Sequence, residues 1–175
     1  MNFISVFSVL SVVKKTFRLL FMQARPGTYA LVMMCSSDQQ IAIGKLGRVS
    51  VQPGFYVYVG SAFGPGGLKA RIAHHIKISE RPHWHIDYLR PAMDLNQIWF
   101  TYDSRQREHQ WAGVLASFSG ATILISGFGA SDCRCKSHLT FFDSPPSGDG
   151  FRRRLHASLN PHGKIFAEEP LDKIK

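Results

Sequence analysis

The chain is short of acidic side chains and of cysteine. Its 175 residues carry 12 Asp+Glu against 21 Lys+Arg, a formal charge of +9, which disfavours a cationic partner and favours a polyanion or an anionic surface. The three cysteines, Cys35, Cys133 and Cys135, are odd in number, and two of them stand one residue apart. That argues against a secreted disulfide framework and points to a reducing, cytoplasmic compartment. Long apolar runs are lacking too. The uncharged stretch from Asn2 to Val13 falls short of the roughly 20 residues that span a bilayer. Lys14, Lys15 and Arg18 follow that stretch instead of preceding it, unlike a secretory signal. With Phe17, Leu20 and Phe21 beside the basic residues, a weak surface helix is the most this end offers, and no stable membrane association is expected. Met22 opens MQARPGTYALVM as a plausible native start, so residues 1–21 read as an over-extended beginning. Internal repeats are absent as well.

What is present is ordinary globular material, 45% hydrophobic and 19% charged, enough for one domain with short extensions. The spacing predicts a strand over 28–34, then a hairpin in which Ile41 with Ile43 and Val49 with Val51 alternate around Gly44 and Gly47. Pro53-Gly54 turns into FYVYVG at 55–60, a buried-strand composition. The glycine-rich FGPGG follows, and then Leu68, Ile72 and Ile76 recur every four residues, as on one face of a helix. Another strand is expected over 97–102, a helix over 107–118 with Trp111, Ala112, Leu115 and Phe118 inward, and a short strand over 121–126. The expected organisation is an extension at 1–24, a mixed α/β (α+β) domain at 25–143 and a basic, flexible tail at 144–175, set off by SPPSGDG.

Three groups of residues invite chemistry. Tyr56 and Tyr58 lie on a strand that runs into the glycine loop and a helix bearing Arg71, with Tyr29 on an earlier strand; glycines and a forked guanidinium suit a phosphate. The bland alternative is a surface loop with a solvated arginine. Glu108 precedes Trp111, Ala112 and Leu115 by helical spacings, so it either shares the inner face, where it needs a metal or an arginine, or sits half exposed in the first turn. Cys133, Cys135 and His138 in DCRCKSH have the chemistry of zinc ligands, with His83 or His85 as a fourth, against reduced buried thiols in a tight loop. His83, His85 and Asp87 alternate and would share one side of an extended segment. His75, within the apolar stripe of the helix, reads as a hydrogen-bonded core histidine.

These residues together resemble a known family. GTY at 27–29, YVG at 58–60, the following GGLKAR and a later helix with Glu108 resemble the GIY-YIG nuclease superfamily. GFYVYVGSAFGPGGLKARIAHH, HWHIDYL, EHQWA and GFGASDCRCKSHL resemble one branch of it, a domain of unknown function also found fused to endonuclease-III-like repair proteins. The resemblance, spanning 27–142, implies a three-stranded antiparallel sheet flanked by helices, here with an inserted hairpin. It also implies a metal-dependent endonuclease acting on DNA, in repair or in processing mobile or branched DNA, with RNA left open as substrate. Tyr29 or Tyr58 would be the general base, Arg71 would stabilise the phosphate in the transition state, and Glu108 would hold one Mg²⁺ or Mn²⁺. Lys69, His74, Lys77 and Arg81, together with Arg152, Arg153 and Arg154, would grip the nucleic-acid backbone. A free phenol titrates near 10, so a tyrosine base needs cationic charge beside it. Two other functions stand beside the nuclease: a nucleic-acid-binding module of the same fold with little or no catalysis, and a zinc or redox sensor built on Cys133, Cys135 and His138.

Overall fold

The apolar run Thr28–Cys35 forms the central strand, β1, of the computed structural model, which describes residues 22–159 and 161–169. The readings made for residues 1–21 lie outside the described residues. Strand β1 is flanked by β4 (Gly54–Ser61) in unbroken register from Thr28↔Ser61 to Cys35↔Gly54. On its other side runs β5 (Asp94–Thr101), with a bulge between Val32 and Met33. These three strands are the sheet that the family resemblance implies. The structure adds an edge strand on each side: β6 (Leu139–Phe142) on β4 and β7 (Ile165–Glu168) on β5, giving five antiparallel strands in the order β6-β4-β1-β5-β7. The expected hairpin is β2 (Gln39–Ile43) and β3 (Gly47–Val51), a separate two-stranded sheet.

The two-residue period of β1 divides the core. Tyr29, Leu31 and Met33 face one side with Tyr56 and Tyr58. There they meet Leu68 and Ile72 of α1 (Gly67–Ile76), Ile86 and Leu89 of α2 (His85–Leu89), and Ile43 and Val51 of the hairpin. Ala30 and Val32 face the other side with Val57, Val59 and Trp99, covered by Trp111, Ala112 and Leu115 of α3 (Glu108–Ala116) and by Phe151 and Leu155 of α4 (Gly148–Ser158). The fold is therefore mixed α+β, three layers deep, with helices on both faces of the sheet.

Helix α1 is anchored at both ends. Gly66 and Gly67 adopt φ of 78° and 55°, left-handed conformations that favour glycine. A Cβ at Gly67 would collide with the Arg25 backbone, and the next amide, that of Leu68, donates to the Arg25 carbonyl at 2.9 Å. At the other end the buried Arg90 guanidinium donates to the carbonyls of His75 (2.9 Å) and Met93 (2.7 Å), using a cation where helix carbonyls lack intrahelical partners.

Two expectations are corrected. Residues 121–126 do not form a strand: Thr122 alone bridges to Phe141 on the outer side of β6, where most of the segment stays exposed or half-buried, and the rest is irregular. The described residues of the expected tail, 144–159 and 161–169, are not simply flexible. Ser147 caps α4 by accepting from the Gly150 amide at 3.1 Å, and Phe151 and Leu155, four apart on one face, are fully buried. Strand β7 then completes the sheet, so the folded unit runs well past 143. Among the described residues no helix is long and apolar enough to cross a membrane.

Candidate functional site

Pairing of β1 with β4 sets Tyr29 opposite Gly60 and Leu31 opposite Tyr58, so both phenols lie on the same face with ring centroids 6.4 Å apart. Gly60 is required here: a Cβ would run into the Tyr29 hydroxyl and ring. The same logic holds at Gly27, where a Cβ would strike the Thr101 carbonyl. Both glycines of the two short motifs thus exist to let the first tyrosine and its strand pack closely.

Helix α1 brings Arg71 alongside these rings. Its guanidinium lies over the Trp84 ring, 4.1 Å from the centroid, a cation–π contact that holds the fork in place without consuming its donors. One turn on, His75 is buried beneath Tyr29, with its Nε2 2.6 Å from the Tyr29 hydroxyl. Its Nδ1 makes no hydrogen bond and stands 3.8 Å from Asp87 Oδ1. Asp87 itself accepts from the amides of His83 and Trp84, each at 3.0 Å, and contacts His74 Nε2 at 2.9 Å. With the proton on Nδ1, toward the carboxylate, Nε2 accepts from the tyrosine, and a Tyr29–His75–Asp87 chain runs from the cleft into the core.

Burial dominates the electrostatics. It raises Tyr29 well above the usual phenol value; neighbouring Tyr58 adds to this and Arg71 opposes it. Tyr58 is raised by burial and by Glu108, again against Arg71. Arg71 is therefore a counterweight that does not make either phenol acidic. Burial pushes His75 down to about 3, despite the attraction of Asp87. Burial would raise Asp87, but the two amides and His74 outweigh it and hold the carboxyl below its ordinary value.

Glu108 opens α3. Its side chain is 14% exposed, and it accepts from Gln106 Nε2 at 2.7 Å, whose other contact is Ser61 Oγ at 3.0 Å. It belongs neither to the apolar face of α3 nor to open solvent, but to a cleft of about 430 Å³ that it lines with Tyr29, Tyr58, Arg71, Trp84 and His85. Asp132 and His138 from the loop before β6 form part of the same wall. The carboxylates of Glu108 and Asp132, with open space before them, suit a hard divalent ion, which takes one or two carboxylates and completes its shell with water and phosphate oxygens. Glu108 is the residue that would hold it.

The remaining expected residues are spread more widely. Lys69, Lys77 and Arg81 are exposed on α1 and just beyond it, whereas His74 is engaged by Asp87. On α4, Arg152 pairs with Asp149 at 3.0 Å, and Arg154 donates to the Ser117 carbonyl at 2.9 Å while lying over Phe118; Arg153 is exposed. That helix covers the sheet face opposite α1 and α2.

His83 and His85 do not complete a cluster with the cysteines. Helix α2 begins at His85, so the alternation of 83, 85 and 87 does not place the three on one side. His85 Nδ1 accepts from the Gly129 amide at 3.0 Å, which puts the proton of a neutral ring on Nε2 and leaves no lone pair for a metal. Instead, Cys133, Cys135 and His138 gather with His109. His109 and the partners of Tyr29 are the functional residues missed in the sequence. His109 had a faint signal, standing directly after Glu108; the pairing of Tyr29 with His75, 46 residues apart, had none beyond the expectation of a hydrogen-bonded core histidine, which holds.

Fold and site together define a small α+β domain with a polar cleft at the end of its central strands. The family model for the domain of unknown function DUF123 matches residues 28–159, and the chain belongs to that family. No curated protein and no solved structure matches it.

Proposed function

We propose that this chain is a metal-dependent phosphodiesterase acting on DNA, as its resemblance to GIY-YIG nucleases implies. One observation carries the reading: Tyr29, Tyr58, Arg71 and Glu108, from β1, β4, α1 and α3, all line a single cleft. Binding alone would not require that combination of phenols, guanidinium and carboxylate.

Each residue has a task that its surroundings suit. Arg71, steadied over Trp84, presents parallel donors to two phosphate oxygens and stabilises the charge that grows on them during attack. Tyr29, its hydroxyl held by His75 Nε2, is placed to orient the attacking water and to take its proton as phenolate, a form that burial opposes and Arg71 favours. Tyr58 packs beside Tyr29 and narrows the position of the water. His85, protonated on Nε2, is a donor for the leaving oxygen. Glu108 would hold a divalent ion, which would supply charge neutralisation at the scissile phosphate. Exposed Lys69, Lys77 and Arg81 follow the flanking backbone.

A second reading, a nucleic-acid-binding module without turnover, draws on the same burial: both phenols are raised and His75 stays neutral down to about 3. One experiment separates the two. Supercoiled, single-stranded and branched DNA, with an RNA counterpart, are incubated with folded wild type, Arg71→Ala and Glu108→Gln in Mg²⁺, Mn²⁺ or EDTA. The nuclease reading expects metal-dependent nicking that falls about 100-fold or more in both variants. No cleavage of any substrate, with salt-sensitive binding that is indifferent to Glu108→Gln, favours the binding module.

A further inference from the structure

We propose that His109, Cys133, Cys135 and His138 hold a structural zinc ion that fastens the loop at 127–138 to the first turn of α3. The inference stands independently of the nuclease reading. The four ligand atoms lie within 4.8 Å of one another, with His109 Nδ1 3.2 Å from Cys135 Sγ and His138 Nε2 3.4 Å from Cys133 Sγ. Tetrahedral zinc with Zn–S of about 2.3 Å and Zn–N of about 2.0 Å needs ligand separations of about 3.3–3.8 Å. The two measured pairs already sit at or near that range.

The scaffold around the four ligands supports the assignment. His109 comes from a helix and His138 from the residue before β6, where its amide donates to Phe128 and its carbonyl accepts from Val59. Both imidazoles are thus carried by ordered backbone, and the cysteines arrive on a loop with few backbone hydrogen bonds of its own: Gly127 to Lys136, Ala130 to Gly127 and His138 to Phe128. A cross-link is what such a segment lacks. With Nδ1 of His109 on the metal, its Nε2 carries the proton, and that nitrogen stands 3.7 Å from Glu108 Oε1. A carboxylate behind a metal-bound imidazole orients the ring and raises its basicity.

Two thiolates and two neutral imidazoles balance the ion's charge and fill all four positions. The site is therefore closed, a staple and not the reaction metal. Its location gives it a second consequence: Gly129, Ser131, Asp132 and His138 line the cleft together with Glu108, so the ion sets one wall of that cleft.

The test uses the full chain purified without added metal and dialysed, then assayed for metal by mass spectrometry. About one zinc per chain is expected, falling below about a tenth in Cys133→Ser and Cys135→Ser, while Cys35→Ser, which alters a buried thiol outside the cluster, keeps it. Exchange with Co²⁺ in the wild type should produce thiolate-to-cobalt charge-transfer absorption and intense visible bands of tetrahedral cobalt, a readout that does not depend on the variants folding. Zinc retained by both serine variants would place the ion elsewhere and overturn the proposal. So would the absence of stoichiometric metal after zinc addition, or weak octahedral cobalt bands.

Discussion

The two faces of the central sheet are built from neighbouring residues of the same strand and have opposite characters. Ala30 and Val32 of β1 face a layer closed by aromatic contacts: Trp99 stacks on Phe151 at 5.0 Å, and Trp111 meets Phe151 edge-on at 5.0 Å. Tyr29, one residue away, faces a layer that buries His75, Asp87 and Arg90 among its apolar side chains. Polar burial is expensive unless it is satisfied, and His75 Nδ1 remains without a hydrogen bond. The comparison teaches a division of labour: one face supplies stability, and the other gives some of it up to hold a polar chain at the floor of a cleft.

The division breaks most visibly from the apolar side. Phe151→Ala should cost about 3–5 kcal/mol in denaturant unfolding, with the fraction that remains folded keeping its cleft chemistry; a cost below about 1 kcal/mol would mean that α4 contributes little to the core. On the polar side, Arg71→Ala should lower cleavage about 100- to 1000-fold while moving the unfolding midpoint little, since the side chain is partly exposed. Equal losses of stability and rate would erase the distinction between the faces.

Acid sharpens the contrast. In the unfolded chain His75 takes up a proton near 6.5, whereas in the fold it stays neutral down to about 3. The unfolded state therefore binds more protons in that window, and stability falls as pH drops through it, by up to about 1.4 kcal/mol per unit from this group. Asp87, whose carboxyl is held low, adds a loss in the same direction at the acid end. His74, Arg71, Arg90 and Tyr29 also face the imidazole. Urea midpoints for wild type and His75→Gln from pH 7.5 downward should show a shallower slope in the variant; parallel slopes would remove His75 as the titrating group. The smallest effect belongs to the surface of the stable face: Arg152→Ala, which removes the pair with Asp149, should change stability by less than about 0.5 kcal/mol.

Strands β1 and β4 were legible as continuous apolar runs buried on both faces, the hairpin by its alternation, and α1 because burial returns every fourth residue. Residues 121–126 misled because they are apolar enough for a strand while only Thr122 pairs, with Phe141 of the edge strand β6. Helix α4 was hidden for the reverse reason: Phe151 and Leu155 are its only buried side chains, set among arginines that read as a solvated tail. At the site, Tyr29, Tyr58, Arg71 and Glu108 stood out by type and order, and the structure brings all four to one cleft. His109 did not, because its thiol neighbours lie more than twenty residues further along the chain.

What the sequence by itself determined is local: the segments whose apolar spacing is clear, such as β1, β4, the hairpin and α1, which side of the periodic ones faces inward, and where glycine must stand. Those follow from sterics and from apolar spacing over a few residues. Which polar side chains meet was decided only by tertiary packing. The phenol of Tyr29 finds His75, and Cys133 and Cys135 find His109 as well as nearby His138, because layers stacked on one sheet bring distant residues within bonding reach. No periodicity along the chain records such a meeting.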